Sequence, residues 1–244
     1  MVPINPRHPL IIAAGAQTVQ AAWHGNFSLG LGLGAPSIEQ KAFGISPANT
    51  VQRLREHLLV LRSIQQNGTV DFHGEELTAV DRGVMPVSLA LAGGTPFPVY
   101  VAAMGPRALQ VTGELADGTL PYLAGPRTIE QFIVPTIGQA AADAGRPSPQ
   151  IIAMVPVAVT DDADTVRAET AGGLAFYETV PSYRKVLDRE GAAKAADLAV
   201  IGDAPAVTRQ LKTYVDAGAT DVVLVPLQSG SDDLRRVWDL AAAF

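Results

Sequence analysis

Apolar runs of strand length, bounded by turn residues, recur along the chain at 27–33, 98–103, 118–123, 151–159 and 221–227. Runs without an alternating polar face predict strands buried on both sides. Between them the apolar period lengthens to that of an amphipathic helix. Val51, Leu54, Leu58 and Leu61 fall on one stripe of a helix opened by Ser46-Pro47 and stopped at Gly68. Further helices are predicted from His8-Pro9 to about Trp23 and over 106–116, 127–144, 162–180, 203–217 and 231–243. Pro181 interrupts the fourth of these and predicts a bend with a shorter helix after it. Strands alternating with helices predict an α/β fold, a parallel sheet with helical cover. The stretch TVDFHGEELTAV, near 69–80, reads as a small hairpin laid over that sheet.

Composition narrows the function classes. Hydrophobic residues make up 48% of the 244, and the longest uncharged run lies between Arg82 and Arg107. That run fails as a membrane span, because Gly93-Gly94, Pro96 and Pro98 would leave backbone groups unsatisfied in lipid. It reads as a loop followed by a buried strand. The opening MVPINPRHP has no charged-then-apolar design of a signal segment. Net charge is −6 with lysines and arginines scattered, which argues against nucleic acid as a partner. The absence of cysteine excludes disulfides, thiolate nucleophiles and Cys-ligated metals, and fits a cytoplasmic protein. No linker-like stretch divides the chain, so a single domain over 1–244 is expected.

The best chemical clue lies in PVYVAAMGPRALQVTGELADGTLPYLAGPR, where two successive strands each end in Gly-Pro-Arg. Glycine admits a ligand close to the backbone, proline fits the first helical position, and the free amides of the first turn attract anions. Gly105-Pro106-Arg107 and Gly125-Pro126-Arg127 read either as a phosphate-binding pair or as efficient turns with exposed arginines. The strand FSLGLGLG leaves one side bare, for a flat ring or for close packing. It is not a dinucleotide fingerprint, since Ala35-Pro36-Ser37 and a loop are expected before any helix. Asp203 reads as a helix cap.

Among the histidines, His8 reads as a helix cap, His24 as a helix end and His57 as a helix-face residue. His73 lies in the hairpin. None has metal-ligand spacing, and no metal is expected. Ser37 and Glu39 stand past a strand end, where barrel enzymes keep their chemistry, although a solvated loop accounts for both. Asp117 and Asp221 begin strands and take no catalytic role. Arg184-Lys185 and Arg235-Arg236 read as solvated helix faces.

In order along the chain, PRHPLIIAAGAQTVQAA, NFSLGLGLG, RLREHLLVLR, VDFHGEELTA, PVYVAAMGPRALQVTGELADGTLPYLAGP, PSYRKVLDREG and VTRQLKTYVDAGATDVVL resemble the luciferase-like monooxygenases, in particular their coenzyme F420-dependent branch. The resemblance implies a (β/α)8 barrel that holds a deazaflavin, or alternatively FMN, at the C-terminal strand ends. Hydride then passes between the cofactor and an organic substrate. Carried over by motif, Gly32, Gly34 and Ala35 lie near the ring, and Met104, Gly105 and Pro106 line the cofactor tail. Tyr122, Leu123, Ala124, Gly125 and Arg127 approach the ribityl and phosphate portion. Catalytic residues are not assigned.

Two departures qualify the resemblance. Relatives often carry Ser-His after the glycine strand and Gly-Arg before it, where this chain has Ala35-Pro36-Ser37 and Gly25-Asn26. In addition, VPINPRHP matches the exit of the third barrel strand. The expected barrel is therefore incomplete, with strands four to eight present and roughly seventy to eighty residues absent, at about thirty residues per β/α unit. A non-catalytic binding remnant and a homodimer that covers the open faces follow as alternatives.

Overall fold

The computed structural model describes residues 1–45, 49–81 and 96–244. The chain packs as two compact units, Met1–Thr119 with Ile137–Pro149, and Leu120–Thr136 with Gln150–Phe244. The fold is α/β and its sheet pairings are mostly parallel.

In the first unit β1 (Val2–Pro3), α1 (Pro9–Ala22), β2 (Leu29–Gly32) and α2 (Pro36–Phe43) are followed by α3 (Thr50–Asn67). A hairpin of β3 (Val70–His73) and β4 (Thr78–Asp81) precedes β5 (Val99–Ala102), α4 (Pro106–Leu115) and β6 (Gly118–Thr119). β1, β2, β5 and β6 pair in parallel in that order, with Pro3 opposite Gly32 and Gly32 opposite Ala102. Alternating strands and helices produce this order, because each helix returns the chain to the same sheet edge. Leu54, Leu58, Leu61 and Ile64 of α3 are buried, each contributing about 1.5–3 kcal/mol. His8 caps α1: its Nδ1 accepts from Leu10 N–H at 3.3 Å, and its Nε2 lies 2.9 Å from the Thr78 carbonyl.

Two boundaries differ from the sequence expectation. The glycine strand does enter a helix at once, because Ala35 is extended and Pro36 takes the first helical position of α2. The predicted opening of α3 at Ser46-Pro47 lies outside the described residues. The described helix starts at Thr50, where Asn49 accepts the Gln52 amide at 3.1 Å.

The second unit begins with the continuation of the Gly118 strand. Only a bridge from Tyr122 to Met154 extends it, where a strand through Leu123 was expected. The next helix is interrupted: α5 (Pro126–Thr128) and a wide π turn (Ile129–Ile133) lead into α6 (Val134–Asp143), whose residues from Ile137 on belong to the first unit. Pro135 supplies the cause, because its ring cannot sit against the carbonyl one turn back and its nitrogen has no hydrogen to donate. The Val134 amide instead reaches the Ile129 carbonyl.

β7 (Gln150–Val159) is followed by α7 (Ala163–Glu178), α8 (Pro181–Glu190), a 3-10 turn (Ala195–Leu198), β8 (Val200–Gly202), α9 (Ala204–Asp216), β9 (Asp221–Pro226) and α10 (Ser231–Ala243). β7 pairs in parallel with both β8 and β9. β8 was not foreseen as a strand, because three residues before Asp203 carry no periodicity. Asp203 caps α9 as expected, accepting from Ala206 N–H at 2.7 Å.

Candidate functional site

The C-terminal ends of β1, β2 and β5 lie side by side in the first unit. There the sequence concentrates glycine: Gly32 is buried, Gly34 has φ +76°, and Gly105 has open space where a Cβ would stand. Ile4 N–H donates to the Gly32 carbonyl at 3.0 Å, so the register continues past β1 and brings Asn5 level with Gly34.

Asn5 is fully buried, and neither its side-chain amide oxygen nor its nitrogen has a hydrogen-bond partner among the described residues. Glu39, on the first turns of α2, is 3% exposed, and both its carboxylate oxygens are likewise without partners. A Cβ at Gly34 would fall on Glu39 Oε1, so the absent side chain leaves room for that carboxylate. The solvated loop expected for Glu39 is thus corrected, because α2 turns it inward. The side chain of Ser37 lies outside the described side chains.

On the next strand, Met104 and Gly105 are half-buried, while Pro106 and Arg107 at the start of α4 are exposed. The N-cap of α4 is Gly105, which has no side chain to cap it. Thr119 ties the strands beneath, its hydroxyl donating to the Val101 carbonyl at 2.9 Å.

The second Gly-Pro-Arg turn, in the second unit, is built differently. The Glu190 carboxylate, from the end of α8, accepts the Thr128 amide at 2.6 Å and occupies the space beside Gly125, where a Cβ would stand 2.5 Å from its Cδ. Arg127 is exposed and directs Nη1 to the Arg189 carbonyl at 3.4 Å. An internal anion therefore already uses the Thr128 amide of this turn. The two turns share a sequence but differ in the partners of their amides, and nothing in the local sequence marks Glu190.

Tyr122, Leu123, Ala124 and Gly125 precede that turn. Leu123 is buried with φ +53°, a left-handed conformation rare for leucine, held by a core of Val166, Leu174, Ala195 and Ile201. Tyr122 packs on Tyr177, with ring centroids 5.3 Å apart, and Tyr177 packs on Tyr183 at 4.8 Å. Burial, followed by the neighbouring Tyr177, pushes the Tyr122 phenol up to about 12.

The remaining candidates are structural. His57 is buried, with its ring nitrogens 2.8 Å from the Arg53 carbonyl and 3.2 Å from the Arg7 carbonyl, and burial pushes its pKa down. His73 is exposed and meets Asp71. His24 has φ 52° in the turn after α1. Asp117 accepts the Val99 amide at 2.8 Å and binds Arg146 at 3.1 Å. Arg184 pairs with Asp188 and Arg236 with Asp161, both at the surface. Among the described residues no group of three or more acidic or histidine side chains could hold a metal. No described helix is long and apolar enough to cross a membrane.

The model of the luciferase-like monooxygenase family matches residues 1–221. The chain belongs to that family. An uncharacterized protein of Mycobacterium tuberculosis is 32% identical to it over 196 residues, 76% of this chain and 57% of that protein. This luciferase-like chain thus spans little more than half the length of that relative. The F420-dependent glucose-6-phosphate dehydrogenase of Rhodococcus erythropolis is 27% identical over 258 residues, covering 98% of this chain and 74% of the enzyme. Among solved structures, an F420-dependent secondary alcohol dehydrogenase in complex with an F420-acetone adduct superposes with a TM-score of 0.80 at 19% identity, over 100% of this chain and 77% of that one. That likeness establishes the luciferase-like fold.

The first-unit residues fit a deazaflavin on one count of chemistry. A buried amide or carboxylate without a partner costs about 1–3 kcal/mol or more. The pyrimidinedione edge of a deazaflavin alternates carbonyl and N–H groups, the kinds of partner that the Asn5 amide and the Glu39 carboxylate lack. On the glycine side, Met1 Sδ lies 3.6 Å from where a Gly32 Cβ would stand, and Glu39 fills the place beside Gly34.

Proposed function

We propose that the chain is an oxidoreductase that moves hydride between a deazaflavin of the F420 type and a small organic substrate. The observation that carries this reading is the pair of buried polar side chains without partners, Asn5 and Glu39, beside Gly34. When bound, the deazaflavin supplies the carbon that exchanges hydride. The protein binds, orients and excludes water.

In this reading Gly32, Gly34 and Ala35 lie near the ring, and Met104, Gly105 and Pro106 line its tail. Tyr122, Leu123, Ala124, Gly125 and Arg127 are the candidates for the ribityl and phosphate portion. Because Glu190 already takes the Thr128 amide, Arg127 is the group of that turn with charge to offer a phosphate. β2, β5, β6, β7 and β9 correspond to the fourth to eighth barrel strands. Ile11 and Val19 on α1, eight residues apart, and Trp23 just after its end are exposed and support association as a homodimer.

The test is fluorescence titration of the isolated deazaflavin, with FMN as the rival. Asn5→Leu and Glu39→Gln are expected to weaken deazaflavin binding by about tenfold each, the cost of losing a charged or paired contact. Asn5→Leu should also raise the thermal midpoint of the unliganded chain, since it removes a buried polar group without a partner. Unchanged affinity in both variants would remove the basis of the reading.

A further inference from the structure

At the end of the first unit's sheet opposite the glycine-rich strand ends lies a cavity of about 190 Å³. Its described lining residues all belong to that unit. Val99 is the first residue of β5, Asp117 stands just before β6, Leu58 and Leu61 come from the second half of α3, and Leu115 ends α4. This is the N-terminal end of the strands, which in barrel folds is the end that chemistry does not use.

Arg62 and Arg146 also line the cavity, and their charges are not equally met. Asp117 is fully engaged: one carboxylate oxygen accepts the Val99 amide at 2.8 Å, and the other meets Arg146 Nη2 at 3.1 Å. Arg146 Nη2 also donates to the Ala116 carbonyl at 2.8 Å. Arg62 has no counter-ion among the described residues; its Nη1 donates to a neutral group, the Glu114 carbonyl, at 3.3 Å. The Glu114 carboxylate pairs with Arg55 instead. One half-buried guanidinium is thus left without an anion beside an apolar wall, the setting in which a planar carboxylate pairs most strongly.

Size fixes the rest of the ligand. A cavity of about 150 Å³ holds benzene, whereas drug-sized ligands occupy about 300–1,000 Å³. The 190 Å³ here accommodates one ring or branched chain with its carboxylate, and excludes a deazaflavin or a nucleotide.

We infer that this cavity is a ligand site separate from the cofactor residues, and that it takes a small monocarboxylate with an apolar body, an aromatic or branched aliphatic acid, paired to Arg62. A single negative charge balances the lining, since Asp117 already offsets Arg146. The inference does not depend on the oxidoreductase reading.

Saturation-transfer NMR on the whole chain, with benzoate and its neutral counterpart benzamide as probes, reads the outcome. Benzoate should bind saturably and about tenfold more tightly than benzamide, the difference made by one charge-assisted pair. Arg62→Gln should abolish that difference. Arg209→Gln, at an exposed position of α9, should leave benzoate affinity within about twofold. Leu115→Trp, which leaves Arg62 in place and fills the cavity, should weaken both probes. No saturable binding of benzoate, equal binding of benzamide, or benzoate affinity unchanged in a folded Arg62→Gln or Leu115→Trp chain overturns the inference. Inorganic phosphate that displaces benzoate at equal concentration overturns the choice of a monocarboxylate.

Discussion

Glu56 and Glu39 are both buried glutamates on helices of the first unit, and their partners separate structure from function. Glu56 accepts the amides of Glu75 and Leu77, each at 2.8 Å, and of Glu76, together with Gln52 Nε2 at 3.0 Å. Burial pushes its carboxyl up, but the bonds from Gln52 and the three amides outweigh that and hold it below the ordinary carboxylate range. Its folded pKa is lowered, so its contribution to stability is present above the unfolded value and is lost as pH falls through the folded one. Glu56→Ala should cost about 3 kcal/mol in urea unfolding at pH 7. The difference between wild type and variant should shrink on going below pH 4.5, the ordinary value for the group.

The phenols move the other way. Burial raises Tyr122, Tyr183 and Tyr214, so folding loses stability as pH climbs through their unfolded value of 10.0. Absorbance at 295 nm should show these three ionising late, together with alkaline unfolding. Nothing in the sequence distinguishes Glu56 from Glu39: both occur in polar-looking stretches, and only the tertiary neighbours of each decide which is satisfied.

At the scale of elements, pattern predicted the helices and long strands well, because burial imposes a period on the sequence. It predicted poorly wherever one residue or one distant partner decides the geometry. Pro135 breaks a helix that hydrophobic spacing makes continuous, and α2 follows Gly34 directly although its exposed residues carry no apolar stripe. The Glu190 contact spans 62 residues of sequence, beyond any local motif. Glu190→Ala should lower stability by about 1–2 kcal/mol, the worth of a lost helix cap, without creating a phosphate site.

Glycines within helices divide on the same grounds. A Cβ at Gly113 would stand 2.5 Å from the Ile137 carbonyl, so Gly113→Ala should destabilise by about 1–3 kcal/mol. Gly173 has open space, and Gly173→Ala should stabilise by about 0.5–1 kcal/mol in the same thermal or urea measurement.

For the molecule as a whole, family membership was legible from motifs spread in order along nearly the whole chain. The α/β architecture followed from alternation alone. The candidate site was legible only in its backbone: glycine strand and Gly-Pro-Arg turns announce close approach, while the buried Asn5 and Glu39 emerge from the register of β1 on β2 and from the fold of α2. The central claim is that this backbone and these two side chains bind a deazaflavin, and one titration addresses it. Purified chain titrated into deazaflavin, and separately into FMN, should change deazaflavin fluorescence saturably and bind it at least tenfold more tightly than FMN. Equal or tighter binding of FMN, or no saturable binding of deazaflavin, would contradict the account.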